Sequence, residues 1–508
     1  MTLISRILGL VRDIVIARFF AVGGATDAFF VAFKIPNFFR RLFAEGAFSQ
    51  AFVPVLSEYR EKRGTEAVRA LIERTAGTLG LILLAISALG MLLAPLLVMV
   101  FAPGFIDEPT TYDLTTQLLR ITFPYILFIS LVALAGGVLN TYGRFGVPAF
   151  TPVFLNLSLI AAAIWVAPQM DEPVTALAWG VLIAGVAQLA FQLPFLARLG
   201  LLPRPRWGAR DEGVRRIMIL MLPALFAVSV VQINLLLDTV IASFLAPGSV
   251  SWLYYSDRLV EFPMGVFGIA LATVILPSLS QNHAQSDPNA FARTLDWGLR
   301  WVMVIGVPAT LGLLFLSGPL LATLFQYGEF GTWDLQMARL SLMAYSVGLL
   351  GFILVKVLVP GFFARQDTRT PVRVAVIAML ANLVLNVAFV LPMQWWDIPG
   401  AHAGLALATS LASFINAGLL FHLLRKQGVF RAAPGWGRLS LQISAGVAAM
   451  SLLLIFGLQD LAQWSQWSSG TRAAWLLFWV AAGMAVYAGV LLLTGLKSRD
   501  VLINPEKK

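Results

Sequence analysis

The chain has 508 residues, 59% of them hydrophobic, 12% charged, with a formal net charge of +10 and a mean hydropathy of +0.82. Soluble globular chains are roughly 45–50% apolar and about 25% charged, so both departures exclude a soluble globular protein and point to the membrane. The absence of cysteine excludes disulfides, thiolate metal sites and a cysteine nucleophile.

A spanning helix needs about 20 mostly apolar residues, and such segments recur nearly end to end. The pattern predicts helices over 2–20, 26–50, 76–101, 115–141, 148–167, 174–197, 216–245, 250–280, 294–317, 336–362, 371–391, 399–423, 438–457 and 473–495. The expected fold class is therefore an all-α polytopic membrane protein with about fourteen spans. Arg6, Arg12, Asp13 and Arg18 interrupt what would be the apolar core of a cleavable signal, so none is expected.

Loop charges test the count. With both termini on one side, one set of loops carries nearly all the basic residues, among them Arg60, Lys62, Arg63, Arg144, Arg204, Arg206, Arg210, Arg365, Arg425 and Lys426. The other set holds Arg472 and otherwise acids, including Asp107, Glu108, Asp171, Glu172, Glu329, Asp334, Asp397 and Asp460. The positive-inside rule puts the basic loops and both termini in the cytoplasm. The net positive charge thus lies in short loops, with no basic face for nucleic acid.

The chain also repeats itself. GAFSQAFVPVLSEY (46–59) resembles GIALATVILPSLSQN (268–282), and NTYGRFGVP (140–148) resembles PGFFARQDTRTP (360–371). These alignments set Pro54 opposite Pro277 and Arg144 opposite Arg365, at offsets of 223 and 221 residues. Six helices separate the copies, and an even number gives a parallel repeat about an axis along the membrane normal. The expected organisation is an N-lobe over 1–197, a cytoplasmic interfacial linker over 198–215, and a C-lobe over 216–423. Two further helices over 438–495 are expected to form a lipid-facing groove.

The first two predicted helices carry Arg6, Arg12, Asp13, Arg18, Asp27, Lys34, Arg40, Arg41 and Glu45. A charge at the bilayer centre costs at least about 2.5–3.5 kcal/mol on insertion scales, so these must face each other or a hydrated cavity. Arg6 and Asp13 share a helix face, and Asp27, Lys34, Arg41 and Glu45 form a stripe. The eighth helix carries Asp257, Arg258 and Glu261 before Pro263, Gly265 and Gly268. Gly- and Pro-interrupted segments at corresponding places in two halves point to a transport site. An excess of arginine suits an anion, because the planar guanidinium binds phosphate oxygens bidentately. The plainer reading is that these are snorkelling or statically paired charges.

Asp238, Asn382, Asn386 and Thr409 offer hard oxygen ligands and form a candidate Na⁺ coupling site; interhelical hydrogen bonding is their bland alternative. Lys356 is also placed inside a predicted span. His283, His402 and His422 lie far apart without ligand spacing, and no GxxxxGK[ST] phosphate loop occurs, so neither a resident cofactor nor an ATP motor is expected.

The stretch SRILGLVRDIVIARFFAVGGATDAFFVAFKIPNFFRRLFAEGAFSQAFVPVLSEY (5–59) closely resembles the MurJ (MviN) lipid II flippase family. The resemblance continues through ITFPYILFISL (121–131), GSVSWLYYSDRLVEFPMGVFGIALATVILPSLS (248–280), LFQYGEF (324–330) and VKVLVPGFFARQDTRTPV (355–372). It implies the multidrug/oligosaccharidyl-lipid/polysaccharide exporter fold, with two six-helix lobes and two extra helices. It also implies undecaprenyl-diphosphate-linked disaccharide-pentapeptide, lipid II, as substrate in a bacterial inner membrane. The family's functional positions fall on Arg6, Arg12, Asp27, Arg40 and Arg258, with Asp13, Glu45 and Glu261 at neighbouring polar positions. Family members usually carry a short apolar lead into the SR motif, which this chain lacks, so the first helix is expected to be short at its cytoplasmic end.

The expected activity is alternating-access flipping of lipid II, with membrane lipids and the cell-wall synthesis or division machinery as further partners. Alternatives are a flippase for another lipid-linked oligosaccharide or a drug/cation antiporter of the same superfamily. A lipid-linked glycosyltransferase is disfavoured, because no loop offers a catalytic domain or a carboxylate–histidine constellation.

Overall fold

The computed structural model describes residues 2–41 and 48–496, and all its regular secondary structure is helical. Two compact units emerge, Met1–Ser251 and Trp252–Lys508.

The first unit contains α1 (Thr2–Phe19), α2 (Gly24–Arg40), α3 (Ser49–Lys62), α4 (Gly64–Leu92), α5 (Ala94–Phe101), α6 (Pro109–Thr122) and α7 (Tyr125–Thr141). It continues through α8 (Gly146–Phe150), α9 (Pro152–Ala161), α10 (Thr175–Arg198), α11 (Glu212–Ala242) and the first turn of α12 (Ser249–Pro263). The second holds the rest of α12, α13 (Ile269–Ala284), α14 (Pro288–Phe315), α15 (Ser317–Leu324), α16 (Thr332–Phe363), α17 (Arg369–Trp395) and α18 (His402–Lys426). It ends with α19 (Trp436–Gly457), α20 (Leu461–Gln466) and α21 (Ser469–Leu493).

Among the described residues, eleven helical segments are long and apolar enough to cross a membrane. Three more helices correspond to the remaining predicted spans. The first, α1, has four charges in its 18 residues. The second, α2, has only 17 residues. The third is the 31-residue α11. The protein is thus an all-helical, multi-span membrane protein. Leu441, Phe456, Leu477 and Leu492 stand exposed on α19 and α21, as lipid-facing side chains do.

The fourth helix differs from its predicted span. It begins at Gly64 rather than 76, because its first three turns are polar and hydropathy does not register them. Those turns have a use. Residues 199–211 run over them in irregular conformation. The Arg206 amide donates to the Glu73 carbonyl (3.1 Å) and the Gly208 amide to Thr78 Oγ1 (3.1 Å). Arg74 pairs with Asp211, whose carboxylate caps α11 by accepting from the Gly213 and Val214 amides. A Cβ on Gly77 would collide with the Arg206 backbone, so the strap and helix approach at glycine distance. On the same side, Arg216 beside Glu58 holds that carboxyl below its usual range.

In the second unit, α16 and α18 cross on small residues. Gly348 and Gly351 lie against Ser410 and Ser413, and Ser410 Oγ donates to the Ala344 carbonyl (2.7 Å). Small residues let membrane helices approach closely, and serine hydroxyls join them.

Two buried arginines fasten the last helices. On α14, Arg300 donates through Nε to Asp296 (2.6 Å) and through Nη2 to the Ala433 and Pro434 carbonyls. Asp296 in turn accepts from the Ala433 amide (3.1 Å) and from Trp436 Nε1 (2.7 Å). Arg472, the lone basic residue of the acidic loops, is buried under four backbone carbonyls: Ala322, Gln326, Ser465 and Trp467. It also stacks 5.2 Å from the Tyr327 ring centroid.

Breaking one half of a buried pair leaves the other charge uncompensated, at a cost of about 3–5 kcal/mol. Asp296→Ala is therefore expected to lower the unfolding midpoint of the purified chain in detergent by several degrees. An unchanged midpoint would mean that the pair contributes nothing net.

Candidate functional site

Arg6 and Asp13 share a face of α1 without forming an ion pair with each other. Seven residues span about 10.5 Å along a helix, too far for Arg6 to reach Asp13 directly, and Arg6 is exposed. Asp13 instead pairs with its neighbour. Arg12 donates through Nε (2.9 Å) and Nη2 (2.6 Å) to the same oxygen, Asp13 Oδ1. Both residues are buried, at 5% and 1% exposure. The third guanidinium nitrogen, Nη1, donates to Asn156 Oδ1 on α9 (3.1 Å), and Asn156 Nδ2 donates to the Ser5 carbonyl (3.0 Å).

On α2, Asp27 takes its partners from outside its own helix. It reaches 221 residues along the chain to the N-terminus of α12. Its carboxylate accepts from the Gly248 amide (2.7 Å), the Ser251 amide (2.8 Å) and Ser251 Oγ (2.5 Å). The Ser251 hydroxyl also lies 3.2 Å from Thr26 Oγ1. A helix start leaves unsatisfied N–H groups and a partial positive charge, and a buried carboxylate answers both. Gly248 has φ of +98°, a conformation that favours glycine. Asp27 is thus an N-cap supplied by a distant helix.

Farther along α2, Lys34 Nζ donates to Thr239 Oγ1 on α11 (3.1 Å). Arg40 Nε donates to Asn37 Oδ1 (3.0 Å) and is half-buried. Glu45 lies outside the described residues.

In the second unit, Arg258 is braced along its own helix. Nη1 donates to Glu261 Oε2 (2.7 Å), Nη2 donates to the Tyr254 hydroxyl (3.2 Å), and the guanidinium lies 5.0 Å from the Tyr254 ring centroid. Both ends of the Arg258–Glu261 pair are about one-third exposed, at 32% and 38%. A π-helical turn, Met264–Gly268, follows immediately. Such turns frequently mark functional sites. Lys356, on α16, is exposed, and its Cγ would lie 3.6 Å from a Cβ on Gly268.

Asn382 and Asn386 are buried on α17, with Thr409 Oγ1 of α18 3.5 Å from Asn382 Oδ1. Asp238 is half-buried on α11 in the first unit. Among the described residues, no group of three or more His, Cys, Asp or Glu is arranged to hold a metal ion.

Sequence reasoning missed Asn156, Gly248, Ser251 and Tyr254 as partners of the functional charges. The run Gly248-Ser249-Val250-Ser251 before an apolar helix carries a readable start signal. Asn156 carries none, being a single amide in an apolar helix.

A family model described as lipid II flippase MurJ matches residues 16–475. A Vibrio cholerae protein named probable lipid II flippase MurJ is 48% identical over 508 residues, covering 99% of this chain and 95% of that protein. Among solved structures, a lipid II flippase MurJ in an inward closed conformation is 28% identical, with a TM-score of 0.81 and 98% of each chain covered. An inward-facing multidrug resistance MATE family transporter of the MOP superfamily is 14% identical, with a TM-score of 0.66, covering 84% of this chain and 95% of that one. At that identity the last likeness speaks to the fold alone.

Proposed function

The chain belongs to the lipid II flippase MurJ family, and from that premise we propose that it moves lipid II from the inner to the outer leaflet of a bacterial inner membrane by alternating access. The observation that carries this reading is the family match over residues 16–475. The arginines singled out for an anionic head group support it.

In this reading Arg12, Arg40 and Arg258 bind the diphosphate, with Arg6 near the entry and Asp13, Glu45 and Glu261 tuning their charge. Guanidinium–phosphate hydrogen bonds are charge-assisted and often bidentate. Asp27 has a different task. Its cap fastens α2 to the start of α12, and undoing that cap is a step of the cycle. The polyprenyl tail stays in lipid beside α19 and α21, whose apolar side chains are exposed. The two lobes over 1–197 and 216–423 rock, and both termini lie in the cytoplasm.

The chain carries no GxxxxGK[ST] motif for an ATP motor, and gradients across the membrane are its driving force. One charge moved through 100 mV is worth about 2.3 kcal/mol, and membrane potential supplies the bias. Asp238, Asn382, Asn386 and Thr409 give Na⁺ hard oxygen ligands as a candidate coupling ion. Interhelical hydrogen bonding, as between Thr409 and Asn382, is the other use of such side chains. A drug/cation antiporter would favour an acidic or aromatic site, and the excess of arginine speaks against it.

The test is rescue of a strain depleted of its own flippase. Expression of this chain is expected to restore growth and to expose lipid II at the outer leaflet. Stable insertion without either result would overturn the reading.

A further inference from the structure

We propose that Asn156 is a positioning residue for Arg12. It holds the guanidinium from a second helix so that the diphosphate meets a preset cation. The inference rests on the assignment of Arg12 as a diphosphate ligand.

The case begins with what Asp13 cannot do. Asp13 is the adjacent residue on the same helix, so the Arg12–Asp13 contact moves wherever α1 moves and fixes nothing relative to the rest of the unit. The two hydrogen bonds between them converge on one oxygen, Asp13 Oδ1. Asn156 adds a point of attachment on another helix. Its Oδ1 takes Nη1 from the far side of the guanidinium at 3.1 Å, and it belongs to α9, which packs on α1.

The amide orientation is itself determined. Arginine only donates and a backbone carbonyl only accepts. With Nη1 on one side and the Ser5 carbonyl on the other, flipping the Asn156 amide would lose both bonds. The amide therefore ties the side chain of Arg12 to the backbone of α1 one and a half to two turns earlier. A buried amide is costly unless paired, and Asn156 is only 5% exposed in a helix whose one other polar side chain is Ser158. Leucine or alanine would suit that helix if packing were its only purpose.

Neutrality matters as much as geometry. Arg12 and Asp13 already balance each other in charge. An aspartate at 156 would bring net negative charge to the place where an anion must bind. Asparagine supplies the acceptor without it.

The experiment measures equilibrium binding of undecaprenyl lipid II to the purified full chain by native mass spectrometry. The variants are the wild type, Arg12→Ala, Asn156→Ala, the double variant and Asn156→Asp. Asn156→Ala is expected to weaken binding roughly tenfold, the range of a hydrogen bond to a charged group. Asn156→Asp is expected to weaken it further. The double variant is expected to bind no more weakly than Arg12→Ala, because residues acting through one contact are not additive.

An Asn156→Ala loss that persists undiminished in the Arg12→Ala background would assign Asn156 a merely structural role and overturn the proposal. So would wild-type binding by both Asn156 variants. If Arg12→Ala itself binds like the wild type, the ligand assignment fails and takes this inference with it. If the wild type does not bind lipid II, the functional reading fails first.

Discussion

Asp27→Ala is expected to abolish rescue of a flippase-depleted strain while the protein still inserts. The carboxylate accepts three hydrogen bonds, two of them from amides at the start of α12. Removing an N-cap costs about 0.5–2 kcal/mol, and hydrogen bonds to a charged group contribute about 1.5–3 kcal/mol. The truncation therefore destabilises the capped state by about 3 kcal/mol, roughly two powers of ten in population. An alternating transporter needs its states close to balance, and a bias of that size disables it. Asp27→Asn keeps one acceptor oxygen and is expected to retain partial activity.

Because the chain contains no cysteine, the cap can be probed directly. Val250 is buried in the first turn of α12. In a Val250→Cys background, Asp27→Ala is expected to speed thiol labelling. Unchanged labelling together with wild-type growth would remove the cap from the mechanism.

Arg258→Ala is expected to reduce lipid II translocation on the order of 100-fold, the upper range for hydrogen bonds to a charged group. Arg258→Lys is expected to reduce it roughly tenfold. The difference follows from how the guanidinium is held. Glu261, three residues on, and Tyr254, four residues back, brace it along its own helix, yet about a third of the side chain stays open. Lysine keeps the charge but loses the planar fork that meets two phosphate oxygens and stacks on Tyr254. The readout is exposure of lipid II to a hydrolase added outside the cell, normalised to protein level. Equal translocation by the wild type and Arg258→Ala would show that Arg258 is not a required ligand.

The hydropathy of the chain made its spans legible, because burial in lipid demands apolar length whatever the tertiary contacts. The polar start of α4 was not legible. A helix that continues into water has no apolar signal, and its partner, the strap over 199–211, lies more than a hundred residues away. The functional charges were visible as residues, since each is costly in a membrane, but their partners were not. Spacing of seven set Arg6 with Asp13 and Asp27 with Lys34 on shared helix faces, but periodicity ignores axial distance and names no partner. Asp27 actually meets a helix end, and backbone amides are invisible to any side-chain pattern. Asn156 could not be found from composition at all, for one amide in α9 looks the same whether or not it grips an arginine.

The anchorage of α19 to α21 bears on whether those helices can be treated as a detachable module. A chain cut after α18 would read, in the sequence, as a complete twelve-helix transporter. It would, however, strip Asp296 of the Trp436 indole and the Ala433 amide, and deprive Arg300 of two carbonyl acceptors. It would also uncover the Ala322 and Gln326 carbonyls that Arg472 satisfies. A truncation meant to ask what the last helices do would first injure α14 and the end of α15. Their contribution is better dissected by point substitutions on exposed faces, such as at Leu441 or Leu477, than by deletion.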